Sequence, residues 1–115
     1  MADKSHDIET LNGTVVIATS ESTTGGTNTY TGLNGLGRHV TFTTPNMEAT
    51  DSTKLQVVIA TSPNGTVFDS GTKAESSSFS IGSQFPLDGT VKVIATAEGT
   101  QSANKSVPFS IYYER

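Results

Sequence analysis

His6 lies between Asp3 and Asp7 near the N-terminus, and these three side chains are of metal-ligating types. A metal site on a polar tail would have to order that tail first, an entropic cost that so few ligands do not recover. His39 has no acidic neighbour in sequence and falls on the polar side of an alternating stretch. No Gly-x-Ser-x-Gly elbow exists, and neither histidine has a serine at a spacing that suggests a nucleophile and its base. Asp69 and Asp88 both adjoin turns, where a carboxylate is expected for its local hydrogen bonds. Gly32-Leu33-Asn34-Gly35-Leu36-Gly37 is rich in glycine, but a phosphate cradle needs a helix to follow, and Arg38-His39 opens a strand pattern instead. Asn12, Asn64 and Asn104 head glycosylation triplets, which matter only in a eukaryotic secretory pathway and whose residues are turn formers first. The expectation is a protein with no catalytic site, no metal and no cofactor.

Composition narrows the class further. The chain has 115 residues, a formal net charge of −4, seven basic residues and no cysteine. That size suits one domain. Basic residues are few and scattered, so no nucleic-acid footprint is present. No apolar run approaches the ~18 residues of a membrane-spanning helix. The first residues are polar and lack the apolar stretch of a signal peptide, so a chain made and folded in a cytoplasm is expected unless a leader has been removed. Thr, Ser and Gly dominate, and no window of ten residues shows a helical period, which predicts an all-β protein.

The elements follow from period-2 alternation. Thr14 to Thr19 is the first strand, Arg38 to Thr44 the second, Lys54 to Thr61 the third and Thr66 to Asp69 the fourth, with Ser62-Pro63-Asn64-Gly65 as the turn between the last two. Phe79 and Ile81 mark a short strand, and Phe85 to Leu87 a corner. Asp88 to Tyr113 reads as a long hairpin in one sheet, with Val91, Val93, Ala95 and Ala97 answered by Val107, Phe109, Ile111 and Tyr113. Pro108 lacks an N–H, which places the start of that last strand at an edge. Ser20 to Gly37 reads as a long Gly/Thr-rich loop. The domain division is therefore 1–37, an arm with the first strand and loop, and 38–115, the sandwich. Val40, Phe42, Leu55, Val57, Ile59, Val91, Val93, Phe109 and Ile111 are the expected core.

The sequence VVIATS occurs at Val15 to Ser20 and again at Val57 to Ser62, and VIATA at Val93 to Ala97 is close. The separations differ, so this is no fixed-period array. The order TFTTP, KLQVVIAT, a turn, FSI and a closing GTVKVIATAEG…KSVPFSIYY resembles an immunoglobulin-like domain of the kind found in bacterial surface proteins and bacteriophage virion proteins. The resemblance covers Arg38 to Tyr113 and implies an antiparallel β-sandwich of about seven strands. It carries no functional residue onto this chain, and the Cys…Trp…Cys hallmark of antibody domains is absent.

Function is then a matter of contacts. Residues 1–13 are too polar to fold alone, since Ile8 and Leu11 cannot repay the ordering of the segment, so they are expected to form a docking arm on another chain, the alternative being an edge strand added to the protein's own sandwich through Thr14 to Thr19. Tyr30, Leu33 and Leu36 either fold their loop back onto the domain or meet a partner. Tyr112 points outward next to an inward Tyr113 and is a further contact candidate. The expected role is a structural accessory of a virus particle that binds the major capsid or another virion protein, assembled in a host cytoplasm, with a homo-oligomer as a further source of stability. The second reading is a carbohydrate- or receptor-binding module of a surface protein, outside the cell, with a glycan as partner.

Overall fold

The computed structural model describes residues 8–18, 25–46, 54–97 and 103–115. The elements are β1 (Ile8–Ile17), β2 (Gly26–Thr31), β3 (Gly35–Thr43), β4 (Lys54–Thr61), β5 (Gly65–Asp69), β6 (Lys73–Ala74), β7 (Ser78–Leu87), β8 (Thr90–Ala97) and β9 (Lys105–Glu114). They form two antiparallel sheets. Sheet A runs β1-β9-β3-β7, and sheet B runs β2-β8-β4-β5 with β6 beside β4. The expected all-β sandwich is what the chain forms.

Alternation decides which face each strand buries. Sheet A turns Val15, Ile17, Val40, Phe42, Phe85, Leu87, Val107, Phe109 and Ile111 inward, and sheet B answers with Leu55, Val57, Ile59, Phe68, Val91, Val93 and Ala95. All nine residues expected in the core are buried there. Aromatic pairs tie the interior together: Phe42 against Phe79 at 5.3 Å between ring centroids, Phe68 of sheet B against Phe85 of sheet A at 5.6 Å, and Tyr30 edge-on to Phe109 at 6.4 Å.

Five expectations are corrected. β8 and β9 are not a hairpin in one sheet, because β8 lies in sheet B and β9 in sheet A. Each has one apolar face, and setting the two faces against each other across the sandwich buries both at once. Residues 98–102 of their connection lie outside the described residues. Residues 1–7 of the expected arm lie outside the described residues, and Ile8 to Gly13 are the first half of β1, paired along β9 from Ile8↔Glu114 to Gly13↔Phe109. The loop 20–37 contains β2 and the start of β3, so the division at 37/38 cuts through β3. Phe85 to Leu87 is no corner but the end of a ten-residue β7. Among the described residues there are nine strands where about seven were expected, β2 and β6 being the additions.

Pro108 sits in an interior strand, and local geometry explains how. Asn28 Nδ2 donates to the Thr14 carbonyl at 2.9 Å, so that carbonyl faces β2 and away from β9. Thr14 pairs with Pro108, and in such an antiparallel pair both residues turn their main-chain groups away from each other. The missing N–H therefore faces β3, whose pairing with β9 has already ended at Phe42↔Phe109. The edge reading is right locally, and wrong for the strand as a whole.

The two ends of the sandwich differ. At one end the connections are tight: residues 32–34 between β2 and β3, 62–64 between β4 and β5, and 88–89 between β7 and β8. β1 begins and β9 finishes at this end. Gly65 and Gly89 adopt positive φ there (73° and 65°), which a glycine does at no steric cost. Gly65 follows the three-residue connection 62–64 and pairs with Thr61.

Candidate functional site

Of the six residues expected to meet a partner, the fold brings three together. Ile8, Leu36 and Tyr112 lie on the outer face of sheet A at its tight-turn end. Strand register puts them in two neighbouring rows. The first row crosses the whole sheet as Ile8 (β1), Glu114 (β9), Leu36 (β3) and Pro86 (β7). The second contains Thr10, Tyr112 and His39. Ile8 is 57% and Leu36 37% exposed. Leu11, Tyr30 and Leu33 do the opposite and pack against the core. Tyr30 also accepts a hydrogen bond from Asn28 Nδ2 at 3.1 Å.

A bulge shapes the site. β3 carries one more residue than β9 between Gly37↔Tyr113 and His39↔Tyr112, so Arg38 and His39 both turn outward. Arg38 reaches Glu114 at 2.5 Å, a partly exposed ion pair in the middle of the apolar row. Such a pair contributes little to stability but fixes side chains in place. His39 shares a hydrogen bond between Nε2 and Ser80 Oγ, and its ring leans on Tyr112 at 6.1 Å between centroids. It is thus a satisfied surface histidine, positioned beside an aromatic ring. Glu9 and Arg115 pair at 3.5 Å at the same end.

Farther along the same face the side chains become small and polar. Thr41, Thr43, Ser78, Ser80, Pro108 and Ser110 line a shallow open groove of about 410 Å³ across β9, β3 and β7. Ser110 Oγ donates to Asn12 Oδ1 at 2.5 Å, and Thr43 and Ser78 share a hydroxyl contact at 3.2 Å. The groove carries no charge.

The chemistry candidates fare as ordinary residues. Asp69 Oδ1 accepts from the Gly71 amide (2.8 Å) and from Gln56 Nε2 (2.6 Å), and Asp88 accepts from Asn64 Nδ2 at 3.3 Å. Both carboxylates serve turns. The glycine-rich stretch becomes the β2–β3 turn and the first residues of β3. Asp3, His6 and Asp7 lie outside the described residues. Among the described residues no group of three or more His, Asp or Glu side chains could hold a metal ion. Pro86 carries no sequence signal of a surface contact while Phe85 to Leu87 reads as a corner. The signal for a strand is that Phe79, Ile81, Phe85 and Leu87 share one parity.

No family model matches the sequence, and no curated protein matches it by sequence. Solved structures do share its fold. One comes from the work "Bacillus endospore appendages form a novel family of disulfide-linked pili", with a TM-score of 0.53, 10% identity, and 98% of this chain and 91% of the other covered. A second is from "Acidic stable capsid structure of Helicobacter pylori bacteriophage KHP30", at TM-score 0.53 and 10% identity over 94% and 89%. A third, from "CBM4 structure and function", has a TM-score of 0.50 and 12% identity over 89% and 82%. At such identities the likeness is one of fold, and this chain is an antiparallel β-sandwich similar to them.

Proposed function

We propose that this protein is a non-enzymatic structural accessory of a virus particle, a capsid decoration or cement protein or a head or tail surface protein. It binds the major capsid or another virion protein through the tight-turn end of sheet A, and its place is the virion, assembled in the host cytoplasm. The observation that carries the reading is the distribution of exposed apolar side chains. Among the described residues the large ones are Ile8, Val16 and Leu36, all on the outer face of sheet A. Single exposed apolar residues are ordinary, but two in one cross-strand row with Pro86, beside Tyr112, make the apolar centre and aromatic contact that protein interfaces favour. A capsid structure among those sharing the fold is consistent with this role.

A second reading rests on a different observation. The uncharged hydroxyl groove offers a sugar hydrogen bonds, and the next cross-strand row holds the His39 and Tyr112 rings. Under it the protein is a carbohydrate- or receptor-binding adhesion module at a cell surface. One experiment separates the two: the protein is incubated with purified particles and, in parallel, with an array of immobilised glycans. Co-sedimentation with particles and silence on the array is the expected result. Glycan binding without particle binding would overturn the first reading in favour of the second.

A further inference from the structure

Sheet edges are hazards, and this fold interrupts or shortens those at β7, β5 and β6. β7 is interrupted by a bulge, where Ser83 and Gln84 oppose Arg38 alone, and it ends with Pro86, which cannot donate. β5 has five residues and a register shift, and β6 has two. β1 is ten residues long, regular in register and edge-placed.

The second half of β1 is closed by sheet B. A Cβ on Gly26 would fall 2.0 Å from the Val16 carbonyl oxygen, so the two main chains meet there. Two residues on, contact is made by the Asn28 side chain to the Thr14 carbonyl. At Gly13 it is made by the longer Tyr30 side chain, whose hydroxyl would lie 2.6 Å from an added Cβ. The reach lengthens step by step, so β1 and β2 diverge toward the tight-turn end. Thr14 turns its main-chain groups away from β9, and with no register shift Ile8, Thr10 and Asn12 do the same. Among the described residues nothing accepts or donates at that side of these three. No charged side chain stands on that alternation either, because Glu9 belongs to the opposite face.

We propose that the open edge of β1, from Ile8 to Asn12, pairs antiparallel with the same edge of a second copy, joining two A sheets into one. The occupant follows from self-complementarity. A two-fold axis at Thr10 sets Thr10 against Thr10, a favourable cross-strand pair, and Ile8 against Asn12. Glu9 meets Leu11 rather than another Glu9, so no like charges oppose. The three residues exchange both main-chain groups with their counterparts, as in strand addition to an exposed edge. The axis also keeps both Ile8–Leu36 rows on one side of the joined sheet. The pairing concerns the isolated chain and stands whether or not the partner is a virion protein.

Thr10→Pro tests it. The Thr10 amide faces the open edge, so its loss leaves the ladder to β9 intact but blocks an added strand. Sedimentation of the wild-type chain from micromolar to millimolar concentration should show a monomer–dimer equilibrium, and Thr10→Pro should weaken it at least about tenfold. Amide hydrogen exchange on the wild type guards against a misfolded variant: Thr10 and Asn12 should exchange fast when dilute and slowly when concentrated. A chain that stays monomeric throughout, or a dimer that Thr10→Pro leaves intact, overturns the proposal. So does protection of Thr10 that appears only when particles are added, which would give the edge to another protein.

Discussion

The outer faces of the two sheets are built from the same alphabet and arranged differently. On sheet B the outward apolar residues, Val58 and Ile94, are paired directly across β4 and β8 in mid-sheet and are half-buried. Thr27, Thr29 and Thr31 of β2 lie along one side of them, and Gln56 bonded to Asp69 on another. On sheet A the apolar residues stand at the end, exposed, beside a bulge that turns Arg38 and His39 the same way. Apolar area that neighbours already cover has little left to gain from a partner, whereas area left open has all of it. Under the proposed function the contrast makes sheet A the contact face and sheet B a solvated wall.

Variants sharpen that contrast, beginning with the interior both faces depend on. Phe109→Ala should have the largest effect, a loss of roughly 3–5 kcal/mol in denaturant unfolding, because its ring lies between the sheets against Tyr30. An effect below about 1 kcal/mol would mean the ring is not core. Gly13→Ala comes next. Its Cβ would fall 2.8 Å from the Phe109 ring, and such overpacking should cost about 1–3 kcal/mol, read from the same curves. Asn28→Ala should cost about 0.5–1.5 kcal/mol by leaving the Thr14 carbonyl without its donor, and should speed exchange at the β1–β2 corner. Lys92→Glu on sheet B, an exposed position, should change stability by no more than about 0.5 kcal/mol and leave particle binding alone.

The sequence made the layers legible and the pairing illegible, for a physical reason. Alternation states which side of a strand is apolar, so Val40, Phe42, Val57, Val93 and Ile111 could be placed inward from the letters alone. It is silent on which sheet a strand joins. β8 and β9 look like a hairpin in sequence, yet each can bury its face equally well by facing the other across the core. β2 was hidden because one of its inward positions is Asn28, a residue that reads as loop and here caps a carbonyl of the opposite sheet. The first half of β1 is hard to read as a strand because its outward residues are exposed and its inward residues are Glu9, Leu11 and Gly13, of which only Leu11 is a large apolar residue. The site was legible only by residue type. Ile8, Leu36 and Tyr112 stand out only singly in the sequence, and their meeting in two adjacent rows depends on a register that no local signal encodes.

The central claim is that sheet A carries the contact, and one paired measurement addresses it most directly. Leu36→Lys on sheet A and Lys92→Glu on sheet B are compared for thermal melting and for co-sedimentation with purified particles. Both should melt close to the wild type, since both positions are exposed. Leu36→Lys should lose particle affinity by at least about tenfold while Lys92→Glu keeps it, as expected when a charge replaces an apolar contact inside an interface. Equal binding by the two variants, or loss confined to Lys92→Glu, would contradict the assignment of the working face.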